Sequence, residues 1–191
     1  MGQSNHSSDP VLIRRFVQER DEQAFVVLVT KYKDLALSVA ISVLKDRVWA
    51  EDVVQESFVK VYHALPSFRQ KSNFKTWFYR IVINTSYNER KRKKVTLDFT
   101  EIADAAVTEK TTSEPLRKGD QKRYINLALD QLKPDEALVL RLFYLLELSI
   151  KEIVKATGFS KSKIKVDLHR GRHNLLQILQ DLLGPEIKEL L

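Results

Sequence analysis

The chain has 191 residues, enough for one domain or for two small ones with cores of their own. Its 32 Lys and Arg against 25 Asp and Glu give a formal charge of +7 and a sequence pI near 9.5, a balance that suits a polyanionic partner. The absence of cysteine excludes disulfides, thiol catalysis and cysteine-based zinc sites, and with only five Gly and five Pro and few alternating runs an all-α fold is expected.

Met1 to Pro10 is polar and lacks the apolar core of a signal peptide, while the longest apolar stretch, Leu35 to Leu44, is broken by Ser38 and Ser42. No membrane insertion and a cytoplasmic location are therefore expected. From Phe25 onward, Leu28, Tyr32, Leu35, Ala36, Val39 and Val43 form the stripe of an amphipathic helix, with Asp21 as its N-cap. A second helix carries Val53, Phe58, Val61, Tyr62 and Leu65 and stops at Pro66. A third opens near Ser72 or Asn73, sets Phe74, Trp77, Phe78, Ile81 and Val82 on one face, and runs into the basic Arg90-Lys91-Arg92-Lys93-Lys94. Periodicity is then lost. Between Asp98 and Glu114 five acids stand against the single Lys110, which reads as a flexible acidic linker joining two small helical domains.

Periodicity resumes with Ile125, Ala128, Leu129 and Leu132, breaks at Lys133-Pro134 and restarts at Asp135 with Leu138, Leu142, Phe143 and Leu146. Ile150 to Leu176 then reads as a helix-turn-helix. A short helix bears Ile150, Ile153 and Val154, the turn is Thr157-Gly158-Phe159, and Ser160 caps a longer helix whose Ile164, Leu168, Gly171 and Leu175 face inward. Its other side presents Lys161, Lys163, Lys165, His169, Arg170 and Arg172, with Val166 and Asp167 among them. The start of such a helix enters the major groove, so Lys161, Lys165, Val166 and His169 are candidates for base edges, and Arg170 and Arg172 for phosphates. The alternative is a helical hairpin with a solvated basic face. His169 and His173 stand four apart, the spacing of a two-histidine metal site, but no acidic or cysteine ligand is grouped with them, so neither a metal nor a cofactor is expected.

Two further constellations matter. Asp52, Gln55 and Glu56 share one helical face, either to meet a basic partner or as ordinary carboxylates near a helix start. Phe68 to Asn84 interleaves aromatic, basic and amide groups around a loop and the following helix, chemistry that suits opened or single-stranded DNA; Trp77 by itself reads more readily as core.

These segments, in this order and spacing, resemble the extracytoplasmic-function group of bacterial sigma factors, the smallest members of the sigma-70 family. The anchors are Ala24-Phe25 to Tyr32, Ala50 to Glu56, Phe68 to Asn84 and the helix-turn-helix. The resemblance implies a sigma factor that gives RNA polymerase core its promoter specificity for a stress- or signal-responsive regulon and catalyses nothing itself. Residues 10–95 would be region 2, which binds core and melts the −10 element; 96–119 the linker; and 120–185 region 4, which reads the duplex −35 element. Asp52, Gln55 and Glu56 would face the largest polymerase subunit. The loop with Phe68, Lys71, Ser72 and Asn73 would capture a flipped −10 base, with Trp77, Arg80 and Asn84 on the same element. Lys161, Lys163, Lys165, Val166, His169, Arg170 and Arg172 would contact the −35 element. An anti-sigma factor is implied as regulator. Asp167 and Gly171 depart from the basic residue and the alanine of many relatives. Without the resemblance, a helix-turn-helix regulator acting without polymerase and an enzyme of single-stranded nucleic acid remain as alternatives.

Overall fold

The computed structural model describes residues 8–69, 72–99 and 121–183, and every regular element among them is helical. The N-terminal half contains α1 (Asp9–Glu19), α2 (Glu22–Leu44), α3 (Arg47–Ala64) and α4 (Phe74–Phe99). Local chemistry sets their boundaries. Asp21 accepts the Gln23 amide at 3.0 Å to start α2, and Asp46 accepts the Trp49 amide at 3.0 Å to start α3. Asn73 starts α4, its Oδ1 accepting the Thr76 amide at 2.8 Å. Each side chain satisfies a helix-end donor that has no intrahelical partner. Pro66 does end α3, through a single 3-10 turn at Leu65–Ser67.

Periodicity gave no helix ahead of Asp21, yet α1 forms there. Pro10 sits in its first turn, where a missing amide donor costs nothing, and only Leu12, Ile13 and Phe16 need burial. That stripe is too short to register as a period. At the far end α4 carries the basic run and continues to Phe99, so residues 96–99 of the anticipated linker are helical, while 100–119 lie outside the described residues.

The second half contains α5 (Gln121–Gln131), α6 (Pro134–Leu140), a wide π-type turn at Arg141–Leu145, α7 (Ile150–Thr157) and α8 (Lys161–Leu183). A reciprocal capping box of Ser149 and Glu152 starts α7. Gly158 follows at φ 75°, a left-handed conformation that Cβ-bearing residues avoid, and the Ser160 hydroxyl accepts the Lys163 amide at 3.1 Å to start α8. Ile164, Leu168 and Gly171 are buried and Leu175 is half-buried, the inward face that the spacing specified. Ile125, at the head of the α5 stripe, is exposed instead, at the rim of an open apolar groove with Tyr144, Leu145 and Leu176.

The halves pack on each other, α6 and the wide turn against α2, and α7 against α4, and their buried side chains form one continuous cluster. Arg141 sits inside this junction at 2% exposure, donating to Ser38 Oγ at 2.7 Å on α2 and pairing with Asp130. Burial of a guanidinium is tolerated because its donors are occupied. Ser38, which interrupts the apolar run of α2 in the sequence, is therefore an interdomain acceptor.

Candidate nucleic-acid interface

Three groups of side chains on this frame have chemistry beyond packing. The first lies on α3, where Asp52, Gln55 and Glu56 are all exposed and Glu56 pairs with Lys60 at 2.7 Å. The helix begins at Arg47 and has no acid in its first turn. Helix-dipole stabilisation fades beyond that turn, so it does not account for acids here.

The second group surrounds the loop before α4. Phe68 and Trp77 are half-buried with ring centroids 4.7 Å apart, and Phe74 lies 5.8 Å from Trp77. Trp77 is thus both wall and support, packed on one side and open on the other. Ser72 is half-buried and Asn73 exposed; Lys71 lies outside the described residues. Arg80 and Asn84 are exposed one turn apart along α4, beyond the aromatic cluster. The sequence does not reveal that Asn73 is already engaged: its Nδ2 donates to Glu152 on α7 at 2.7 Å, close to Thr76 Oγ1, which donates to the same carboxylate at 3.4 Å.

The third group is the outer face of α8. Lys161, Lys165, Val166, His169, Arg170 and Arg172 are all exposed, and Arg172 also donates to the Leu168 carbonyl at 3.0 Å. Lys163 is placed differently. Its ammonium lies 2.8 Å from Asp135 and 2.7 Å from Asp167, above the Phe159 ring. Partial burial disfavours this charge, but the two carboxylates outweigh it and raise the Lys163 pKa. Burial also pushes Asp135 upward, yet hydrogen bonds from Lys163 and Tyr87 hold it below its ordinary range. Asp167 belongs to this buried side, at 8% exposure, rather than among the cations facing outward. The Tyr87 hydroxyl, on α4, donates to Asp135 at 2.8 Å and ties the network across the two halves.

His169 and His173 are exposed, and no group of three His, Cys, Asp or Glu that could hold a metal occurs among the described residues. No described helix is long and apolar enough to cross a membrane. The junction residues Arg141, Tyr87, Asp135 and Glu152 escape a reading by motif. The one signal in the sequence is Tyr87, which prolongs the apolar face of α4 one turn past Ile83, toward a surface that α2 and α3 do not supply.

The family model for sigma-70 region 2 matches residues 28–96, and that for sigma-70 region 4 matches residues 122–175. The RNA polymerase sigma-H factor of Pseudomonas aeruginosa is 32% identical over 185 residues, covering 92% of this chain and 95% of its own length. The ECF RNA polymerase sigma factor SigW of Bacillus subtilis is 31% identical over 178 residues, covering 87% of this chain and 94% of its own. Among solved structures, the sigma factor RpoE of Bartonella quintana, in complex with the anti-sigma factor NepR, shares the fold with a TM-score of 0.62 at 23% identity, over 85% of this chain and 98% of that one. CnrH, in complex with the cytosolic domain of CnrY, shares it with a TM-score of 0.60 at 21% identity, over 92% and 99%.

Proposed function

Because the chain belongs to the extracytoplasmic-function group of the sigma-70 family, we infer that it gives a bacterial RNA polymerase core its promoter choice, binding DNA at two sites and catalysing no reaction itself. Residues 10–95 act as region 2, 96–119 as the linker and 120–185 as region 4. The protein works in the cytoplasm, where core and promoter are. By analogy with the sigma factor RpoE, captured with the anti-sigma factor NepR, an anti-sigma factor holds it inactive until a signal arrives.

The observation that carries this reading is the presence, on one chain, of two surfaces with complementary chemistry. The exposed face of α8 offers cations, an imidazole and an apolar Val166, the set that reads base edges and phosphates of an intact major groove. The loop ahead of α4 offers a half-open aromatic wall at Phe68 and Trp77, followed by exposed Arg80 and Asn84, which suits an unstacked base and its backbone. A duplex reader and a single-strand reader held in fixed order make a device that anchors upstream and stabilises strand opening downstream. Asp52, Gln55 and Glu56 supply an acidic and amide surface on α3 for core.

In the free chain Asn73 and Lys163, one from each DNA face, are occupied by Glu152 and by Asp135 with Asp167. Promoter and interdomain packing therefore compete for Asn73. The reading is tested by adding the purified chain to core and to fragmented DNA from its source cell. Recovery of a defined set of fragments sharing two spaced elements, dependent on both proteins, is the expected result. Equal recovery by the chain without core would instead identify a free-standing regulator.

A further inference from the structure

Lys45 has no part in either DNA face or in the α3 surface, and it stands where the two halves meet. It is the C-cap of α2, at φ 57°, and its backbone amide donates to the Ile41 carbonyl at 2.9 Å, which fixes the base of its side chain. From there its ammonium crosses to the end of α5 and donates to the Asp130 backbone carbonyl at 2.8 Å. The Asp130 carboxylate is taken by Arg141 at 2.5 Å. Asp46, the next residue along the chain, is engaged as the N-cap of α3. Lys45 thus meets a neutral acceptor, beside a carboxylate already matched by a guanidinium.

Two further cations, Arg141 and Arg90, lie within electrostatic range of Lys45 and are opposed by Asp130. Burial of its ammonium end and then the repulsion from Arg141, with Arg90 adding to it, lower its pKa from 10.5 to about 8. The residue as a whole remains exposed, at the edge of an open groove of about 690 Å³. Leu44 and Arg90 line that groove together with Trp49, Lys91 and Lys94. An amine crowded by other cations keeps a free lone pair near neutral pH, and a groove lined by cations concentrates small anions.

We propose that Lys45 is an acylation site whose donors are small acyl phosphates, drawn in by the cations of this groove. The ammonium first releases one proton to water. The neutral Nζ then attacks the acyl carbon; the N–C bond forms, the bond from that carbon to the phosphate oxygen breaks, and phosphate leaves with the electron pair. Nζ loses a second proton to water and ends as an uncharged amide. The modified side chain has one N–H in place of three and carries an acyl group at the point where α2 meets α5. This chemistry needs neither polymerase nor DNA, so it stands or falls apart from the promoter-binding reading.

A rate advantage follows from the local chemistry. At about pH 7.5 roughly a quarter of an amine with a pKa of about 8 is neutral, against about 0.1% of one at 10.5. Each neutral amine is a weaker nucleophile when its basicity is lower; a Brønsted slope of about 0.5, the value for thiols, leaves a net gain on the order of tenfold.

The test treats the full-length chain and a reference lysine peptide, in one tube, with acetyl phosphate from about pH 6.5 to about pH 9.5, and follows each lysine by mass spectrometry. Lys45 is expected to react on the order of tenfold faster than the reference at about pH 7.5, with a rate that levels off above about pH 8 while the reference keeps climbing. Its advantage should be larger with acetyl phosphate than with the neutral donor acetic anhydride, and Arg90→Gln, a change at an exposed residue, should remove most of that excess. Reaction no faster than the reference, or a rate that climbs beside it across the whole range, overturns the acylation site. An equal advantage with the two donors, or an excess unchanged in the Arg90 variant, overturns the acyl phosphate as its donor.

Discussion

Asn73 and Glu152 join the starts of two helices from opposite halves of the chain. Asn73 Oδ1 caps α4 while its Nδ2 donates to Glu152 at 2.7 Å, and the other Glu152 oxygen accepts the Ser149 amide at 2.9 Å to close the capping box of α7. One carboxylate thus lies against two helix N-termini, where a negative charge is favoured. DNA that takes the same Asn73 hydrogen displaces Glu152.

Glu152→Ala is accordingly expected to weaken α7 and the junction together, by about 1–2 kcal/mol for the lost cap and hydrogen bonds. Energy transfer between dyes on α3 and α8 measures the result. A wider distance distribution with helix content retained is expected; an unchanged distribution would mean that Arg141 and the buried apolar contacts hold the halves together unaided.

Acidification should act in the same direction. Hydrogen bonds from Ser149, and secondarily from Asn73 and Thr76, hold Glu152 below its ordinary 4.5, and those from Lys163 and Tyr87 hold Asp135 below 3.8 against the opposing effect of burial. Groups depressed in the folded state contribute stability that is fully present above their ordinary values and is lost as pH falls through the depressed ones. Stability from these carboxylates should therefore be flat from pH 7 to 5 and decline below about 4.5. Denaturant titrations across that range check this, and Glu152→Gln should flatten part of the decline.

Much of this architecture is legible in the sequence because the governing forces are local. Asp21, Ser160 and Gly158 mark their boundaries by short-range chemistry, and Ile164, Leu168 and Gly171 give the inner face of α8 by spacing alone. What escapes depends on contacts far apart in the chain. Arg141 reads as an ordinary charge until Ser38, 103 residues away, supplies its acceptor. Lys163 reads as one of several equivalent cations until Asp135 and Asp167 enclose it. Helix α1 escapes for the opposite reason: its buried stripe is too brief to form a period.

Gly171 gives a packing test. An added Cβ would lie 3.1 Å from Leu140 Cδ1, 3.2 Å from its Cγ and 3.4 Å from Glu136 Cβ, so the buried Leu140 side chain must shift by a few tenths of an ångström to admit it. Alanine gains about 1 kcal/mol of helix propensity and loses a comparable amount to crowding, so Gly171→Ala should be within about 1 kcal/mol of the parent. Gly171→Val should cost about 2 kcal/mol or more by adding bulk to the same contact. Thermal melts of the two variants check both values.

On the polymerase side, Asp52→Arg with Gln55→Ala should lower affinity for core at least tenfold while leaving the melting temperature unchanged, since both side chains are exposed. Surface-immobilised core reads the first quantity and calorimetry the second. A parallel fall in both would reassign this face to folding.

On α8, Lys165→Ala should change which −35 sequences are preferred, whereas Arg172→Ala should lower affinity on all of them and flatten the salt dependence by about 1 unit of slope. Selection of binding sites from a randomised −35 element by each holoenzyme separates the two. An unchanged profile for Lys165→Ala would remove that residue from the base-reading set.

The most direct test of the account is strand opening itself. On a promoter recovered with the holoenzyme, permanganate reactivity of −10 thymines reports unpaired bases. The thymines should become reactive only when core and this chain are both present, and Arg80→Ala with Asn84→Ala should abolish the signal without loss of core binding. Equal opening by core alone, or none under any condition in which the chain binds core, would contradict it.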